Sequence, residues 1–102
     1  SSAKMPNRIF WTRQAREDLR EVQAFIARDA PATASAFVRR LRQSVERLRV
    51  FPCSGQIVPE LGREEIRELL KGNYRIVYRV AEDRVEILTV YHSARLLDES
   101  DF

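Results

Sequence analysis

Between Glu68 and His92 the chain is dominated by β-branched and aromatic residues, interrupted at Gly72-Asn73 and again at Glu82-Asp83. Such runs favour extended backbone and such interruptions favour tight turns, so the segment reads as strand, turn, strand, turn, strand. An antiparallel meander is the expected product, with strands over residues 65–71, 74–80 and 84–92. In the middle strand Tyr74, Ile76, Tyr78 and Val80 share one face, and Arg75, Val77 and Arg79 the other. The last strand is apolar on both faces, with Val85, Ile87 and Tyr91 on one and Leu88 and Val90 on the other, which places it in the interior of the sheet. Arg67, Lys71, Arg75 and Arg79 interrupt these apolar runs where sheet stability does not require a cation. They serve either an anionic partner or a solvated face.

The first half of the chain follows a different period. Arg8-Ile-Phe-Trp11 is a short aromatic strand, and the Thr12 hydroxyl can cap a helix that follows over residues 13–28. Ala15, Leu19, Val22 and Ile26 form one apolar stripe on it, with Phe25 alongside and the charged residues elsewhere. Asp29-Ala-Pro31 ends this helix and starts a second, over residues 31–50, because proline is tolerated only in a first helical turn. Its stripe is Ala34, Phe37, Leu41, Val45 and Leu48. So short a connection makes an αα-hairpin, whose common apolar face needs a cover, and the sheet is the only segment able to supply one. Residues 51–62, with two prolines and two glycines, read as the loop that crosses from helix to sheet. The expected fold is therefore α+β, in the order β-α-α-β-β-β, a helical hairpin packed on an antiparallel sheet.

One hundred and two residues suit one domain. Residues 1–6 are expected to be disordered or tag-derived, residues 7–97 to form the domain, and residues 98–102 to be a tail. No apolar run reaches the roughly 20 residues of a membrane span, and the N-terminal residues lack a secretory apolar core, which fits a cytoplasmic protein. The single cysteine forbids an internal disulfide, and one histidine with one cysteine leaves a zinc site short of ligands. No metal or cofactor is expected. Residues 1–50 carry eleven Lys or Arg against five Asp or Glu, and residues 51–102 carry seven against ten. Because sixteen of the eighteen cations are Arg, with a planar fork suited to carboxylate or phosphate, an acidic partner is favoured. Direct DNA binding is disfavoured by a net charge of only +3 and by the lack of a recognition helix.

Phe51-Pro52 closing the second helix, Val58-Pro-Glu60 in the loop, and Ile66-Arg-Glu-Leu, Tyr74-Arg-Ile-Val-Tyr-Arg79 and Val90-Tyr-His92 on successive strands together resemble the RelE/ParE toxin superfamily, the ParE (plasmid-stabilisation) branch most of all. The resemblance implies the toxin of a bacterial type II toxin–antitoxin system. It implies a hetero-oligomer with a ParD-like antitoxin, which meets operator DNA on the toxin's behalf, and DNA gyrase as a target inhibited by protein binding. Apolar anchors of the antitoxin are expected at Leu19, Val22, Phe37 and Leu41, and its carboxylates at Arg75 and Arg79. The segment after the last strand is linked to toxicity in this branch, which nominates Arg95, Leu96 and Leu97 for the target.

The other branch of the superfamily cuts messenger RNA on the ribosome, and that chemistry needs a base, phosphate clamps and an acid. Here the available set is Glu68 as base, Arg67 and Arg75 as clamps, and Tyr91 or His92 as acid. Adjacent strand residues face opposite sides, so Tyr91 and His92 cannot both enter one site. The Lys-rich middle segment of several ribosome-dependent members is also missing, Lys71 being the only lysine in the sheet half. A third reading is a degenerate member that binds its antitoxin and poisons nothing.

Overall fold

A computed structural model describes residues 7–93. The elements follow in the order β1 (Arg8–Trp11), α1 (Arg13–Ala27), α2 (Pro31–Glu46), a 3₁₀ turn (Arg47–Arg49), β2 (Gln56–Ile57), β3 (Ile66–Lys71), β4 (Tyr74–Val80) and β5 (Arg84–His92). The two helices pack on a five-stranded sheet in the order β1-β5-β4-β3-β2. The α+β hairpin-on-sheet arrangement is the one expected. The domain boundaries at residues 6 and 97 fall outside the described residues.

Thr12 starts α1 in two ways: its hydroxyl accepts the Ala15 N–H at 3.2 Å and donates to the Ile87 carbonyl at 2.7 Å. The cap, typically about 1 kcal/mol, thereby also fixes the helix to β5. Pro31 opens α2, as its fixed φ allows. The stripes of both helices meet on the sheet, where Ala15, Leu19, Val22, Leu41, Val45 and Leu48 are buried against Ile76, Tyr78, Val85, Ile87 and Val90. Trp11 is half-buried beside this core, with the Arg42 guanidinium 5.4 Å from its ring centre.

Four features differ from the expectation. First, β1 pairs with β5 in parallel, so the sheet is antiparallel everywhere except at that edge. Second, Gln56–Ile57 in the expected loop is a short strand opposite Arg67 and Glu68. Third, α2 ends at Glu46 and tightens into the 3₁₀ turn. Fourth, the ladder between β4 and β5 slips by one residue: Val77 faces Thr89 while Tyr78 faces Ile87, so Leu88 is the extra residue of a β-bulge. The bulge reverses the alternation of β5. Val85 and Ile87 point to the helices before it and Val90 after it, whereas Tyr91 turns to the far face. A strict period of two had put Tyr91 and Val90 on the wrong sides.

The far face has its own smaller core. Val58 and Leu61, from the segment after β2, close over Ile66, Val77, Leu88 and Tyr91. The sheet is thus covered on one side by helices and partly on the other by its own loop.

Candidate functional site

The cover over the far face encloses a charged network. Arg75 leaves β4 on that side, and its guanidinium is nearly buried. Its Nε donates to Glu68 Oε1 at 2.5 Å, while Nη1 and Nη2 donate to Glu60 at 2.7 and 2.9 Å, a two-pronged contact. The Gln56 amide donates to the second Glu68 oxygen at 2.9 Å. The hydrogen bonds it donates to Glu60 above all, and that to Glu68, hold Arg75 more firmly protonated than an ordinary arginine against the opposing effect of burial. The Arg75 guanidinium also lies 5.5 Å from the centre of the Tyr91 ring. Glu60, in the loop segment between Val58 and Leu61, entered the sequence reading only within Val58-Pro-Glu60 and was not among its candidate site residues. Its signal was the single acid of residues 51–62, bracketed by two apolar anchors, Val58 and Leu61.

The five residues grouped for RNA cleavage are divided by the sheet. Glu68, Arg75 and Tyr91 meet on the far face. Arg67 pairs opposite Tyr78, on the helix side, and its Nη1 donates to the Gly55 carbonyl at 3.1 Å. Its Nε is buried without a hydrogen-bond partner among the described residues. His92 is exposed on the helix side, its ring edge-on to Tyr74 at 5.7 Å. The distribution corrects the expectation that Arg67 and Arg75 could clamp one phosphate, and Glu68 is already committed to two donors. Tyr91 and His92 do face opposite ways.

The residues nominated for the antitoxin also separate. Leu19, Val22 and Leu41 lie inside the main core at 3%, 6% and 0% exposure, so they offer a partner no surface while the hairpin stays on the sheet. The same stripe cannot face both the sheet and a visitor. Phe37 is half-buried against Tyr74 at 5.6 Å and reaches the surface. Arg79 is half-exposed, 3.6 Å from Glu86. Arg75 is occupied internally. Arg95, Leu96 and Leu97 lie outside the described residues.

Two further contacts position these elements. Asp18, on α1, accepts from the Thr89 hydroxyl and, at 3.1 Å, from the Val90 N–H, which ties the helix to β5 just beyond the bulge. Tyr78 is fully buried and accepts the Gly55 N–H at 2.9 Å. Burial raises the Tyr78 phenol above its ordinary value, with the Gly55 bond opposing. A Cβ at position 55 would sit 2.4 Å from the Tyr78 hydroxyl and 2.6 Å from the Glu68 carbonyl, so only glycine lets the chain run this close to β3. Among the described residues no three His, Cys, Asp or Glu converge as metal ligands, and no helix is long and apolar enough to cross a membrane.

Residues 9–97 match the family described as the ParE toxin of the type II toxin–antitoxin system parDE. The chain is 40% identical over 89 residues to the protein Y4kP of Sinorhizobium fredii, a match covering 84% of this chain and 88% of that one. It is 30% identical over 88 residues to toxin RelE2 of Caulobacter vibrioides, covering 86% and 97%. Among solved structures, the chromosomal ParDE system of P. aeruginosa superposes with a TM-score of 0.71 at 21% identity, covering 84% of this chain and 95% of that one, a likeness of fold. The RelBE2 toxin–antitoxin complex of Mycobacterium tuberculosis gives 0.55 at 25% identity, covering 85% and 98%.

Proposed function

Because the chain belongs to the ParE toxin family of type II toxin–antitoxin systems, we propose that it acts by binding rather than by catalysis, with DNA gyrase as its target and a ParD-like antitoxin as its silencer. The observation that carries this reading is the internal commitment of the buried Glu68–Arg75 pair on the far face of the sheet. Glu68 and Arg75 are hydrogen-bonded to each other, with Glu60 and Gln56 completing the network. A general base must reach a substrate proton and a phosphate clamp must reach a phosphate, and here each already holds a partner inside the fold. Arg67 and His92 stand on the other side of the sheet. The gyrase target comes from the resemblance to the ParE branch.

The relatedness to toxin RelE2 favours a second reading, ribosome-dependent cleavage of messenger RNA. Both are tested on one preparation by supercoiling with purified gyrase and by cleavage of messenger on programmed ribosomes. Inhibited supercoiling with intact messenger supports the proposal. Cleaved messenger with normal supercoiling overturns it, and would require the loop that carries Glu60 to lift away and release Arg75.

A further inference from the structure

One border of the sheet is β1, which has a strand partner on one side only. In its parallel ladder with β5 the Arg8 N–H donates to the Asp83 carbonyl and, just past the strand, the Thr12 N–H donates to Ile87, so the peptide groups of Arg8, Phe10 and Thr12 turn inward. Alternation sends the N–H and C=O of Ile9 and Trp11 outward. The Asn7 N–H, which shares their direction, ends on the Arg49 carbonyl at 2.8 Å. Among the described residues nothing is hydrogen-bonded to the outward groups of Ile9 and Trp11. The strand holds neither the proline nor the bulge that commonly guards such an edge.

The side chains beside this edge carry both signs of charge. Ile9 and Trp11 pack toward the helices, so Phe10 stands on the far face, 56% exposed. A depression of about 330 Å³ next to it is lined by Arg8 and Arg84 and by Asp83 and Glu86. On the helix side the Arg42 guanidinium lies over Trp11, at the end of β1. Glu46, one turn later in α2, is bonded to Arg49, whose carbonyl takes the Asn7 N–H at the start of β1. A cation thus flanks one end of the strand and an acid the other. Arg8 and Arg42 form no ion pair among the described residues. An acidic strand would meet Glu46, Asp83 and Glu86 here and a basic one Arg8, Arg42 and Arg84, whereas a strand with the same charges in reverse order suits both ends.

We propose that the free edge of β1 pairs with β1 of a second copy of this chain, antiparallel about a two-fold axis at Phe10, joining two sheets into one. In that register Ile9 of each copy lies opposite Trp11 of the other, and their outward N–H and C=O groups bond to each other. The two Phe10 rings meet as the close, non-hydrogen-bonded pair on the axis, where aromatic pairs stabilise a sheet. Arg8 falls diagonally from the opposite Phe10, within reach of its ring face. Arg42 of each copy is carried toward Glu46 of the other. Centring the pairing on Ile9 would spend Trp11 on the occupied Asn7, and centring it on Trp11 would set Ile9 against the first residue of α1. Only the Phe10 register gives both outward residues of both copies a partner. Four-residue strands make a small interface, so the dimer forms reversibly and only as concentration rises.

The test is sedimentation of the full chain alone from about 1 to about 500 μM, a range suited to a small interface, with amide hydrogen exchange at Ile9 and Trp11 read at both ends. The mass is expected to rise with concentration from 11.9 kDa toward about twice that, and exchange at both residues to slow in parallel. Phe10→Asp, at an exposed position, sets like charges on the axis and is expected to weaken association at least about 10-fold. Arg42→Glu is expected to weaken it, and Arg42→Glu/Glu46→Arg to restore it. In the full chain carrying Cys53→Ser, Phe10→Cys is expected to give a disulfide-linked dimer on air oxidation, because the facing pair lies within disulfide range, while Leu70→Cys on β3 does not. A monomer at every concentration overturns the proposal. So does a dimer that Phe10→Asp leaves intact with Ile9 and Trp11 still exchanging freely. Protection of Ile9 and Trp11 that is already complete at the lowest concentration, in a monomer, assigns the edge to the chain's own terminal residues and also overturns it.

Discussion

Replacing Arg75 by methionine keeps most of its length and removes the cation that is hydrogen-bonded to the buried Glu68 and the partly buried Glu60. Glu68 is 3% exposed and the Glu60 side chain 17% exposed. Breaking a buried pair by removing one partner costs about 3–5 kcal/mol, because the remaining charge is desolvated and uncompensated. Against a total stability of roughly 5–15 kcal/mol, that is a large share. In a domain of this size 1 kcal/mol moves Tm by about 4–8 °C, so Arg75→Met should lower Tm by at least about 12 °C at neutral pH. The cost comes from charge, which sets the direction of its pH dependence: protonating the stranded carboxyls removes the penalty, so the gap from wild type should narrow as pH falls toward about 4. Adding Glu60→Leu and Glu68→Leu to Arg75→Met should restore most of the loss, since well-packed apolar residues of similar volume often replace a buried ionic network without loss of stability. Thermal and urea unfolding of the three proteins from pH 4 to pH 7.5 measure all of this. A single-variant loss under 1 kcal/mol, or a loss independent of pH, would refute the reasoning.

The remaining predictions concern single contacts. Gly55→Ala should cost about 1–3 kcal/mol through overpacking, because one of the three atoms it meets is the backbone carbonyl of Glu68 and cannot rotate away; urea titration reads the loss. Asp18→Ala leaves the Thr89 hydroxyl and the Val90 N–H without their acceptor and should cost about 1–3 kcal/mol, with faster hydrogen exchange at Val90. Leu41→Ala, at a fully buried position, should cost about 2–5 kcal/mol in the same assay. Tyr78 is held neutral by burial, so its folded value lies above the unfolded value near 10: its contribution is intact below about pH 10 and is lost as pH rises through the folded value. Urea midpoints from pH 8 to pH 11 should therefore fall at the alkaline end in wild type and fall less in Tyr78→Phe.

The hairpin-on-sheet fold was legible because each half of the chain repeats with its own period, and Ala15, Leu19, Leu41 and Ile76 stand where those periods put them. Leu88 was not legible as a bulge, since its neighbours are apolar on both sides and a slip leaves no mark in such a run. β2 was hidden because two residues are too few to show alternation, and the parallel pairing of β1 depends on a contact made across most of the chain. At the candidate site, Glu68 and Arg75 were recognised as chemically distinctive, but their direct pairing and the second acceptor of Arg75, Glu60, are brought together only by tertiary structure. Strand periodicity separated Tyr91 from His92 correctly, yet it could not tell which of them looked toward the helices.

The position of β5 between β1 and β4 also governs when the protein exists during its synthesis. A ribosome delivers β1 and both helices first, but β1 has its strand partner, and α1 its main footing on the sheet, only in β5. A nascent chain stopped before Arg84 therefore holds an apolar hairpin with only β4 to rest on and a first strand with nothing to pair with, and the long-range closure waits for the final strand. Translation must run through Arg84–His92 before the five-stranded sheet and its helical cover can close, so prematurely terminated chains would be clients of proteolysis rather than partial toxins.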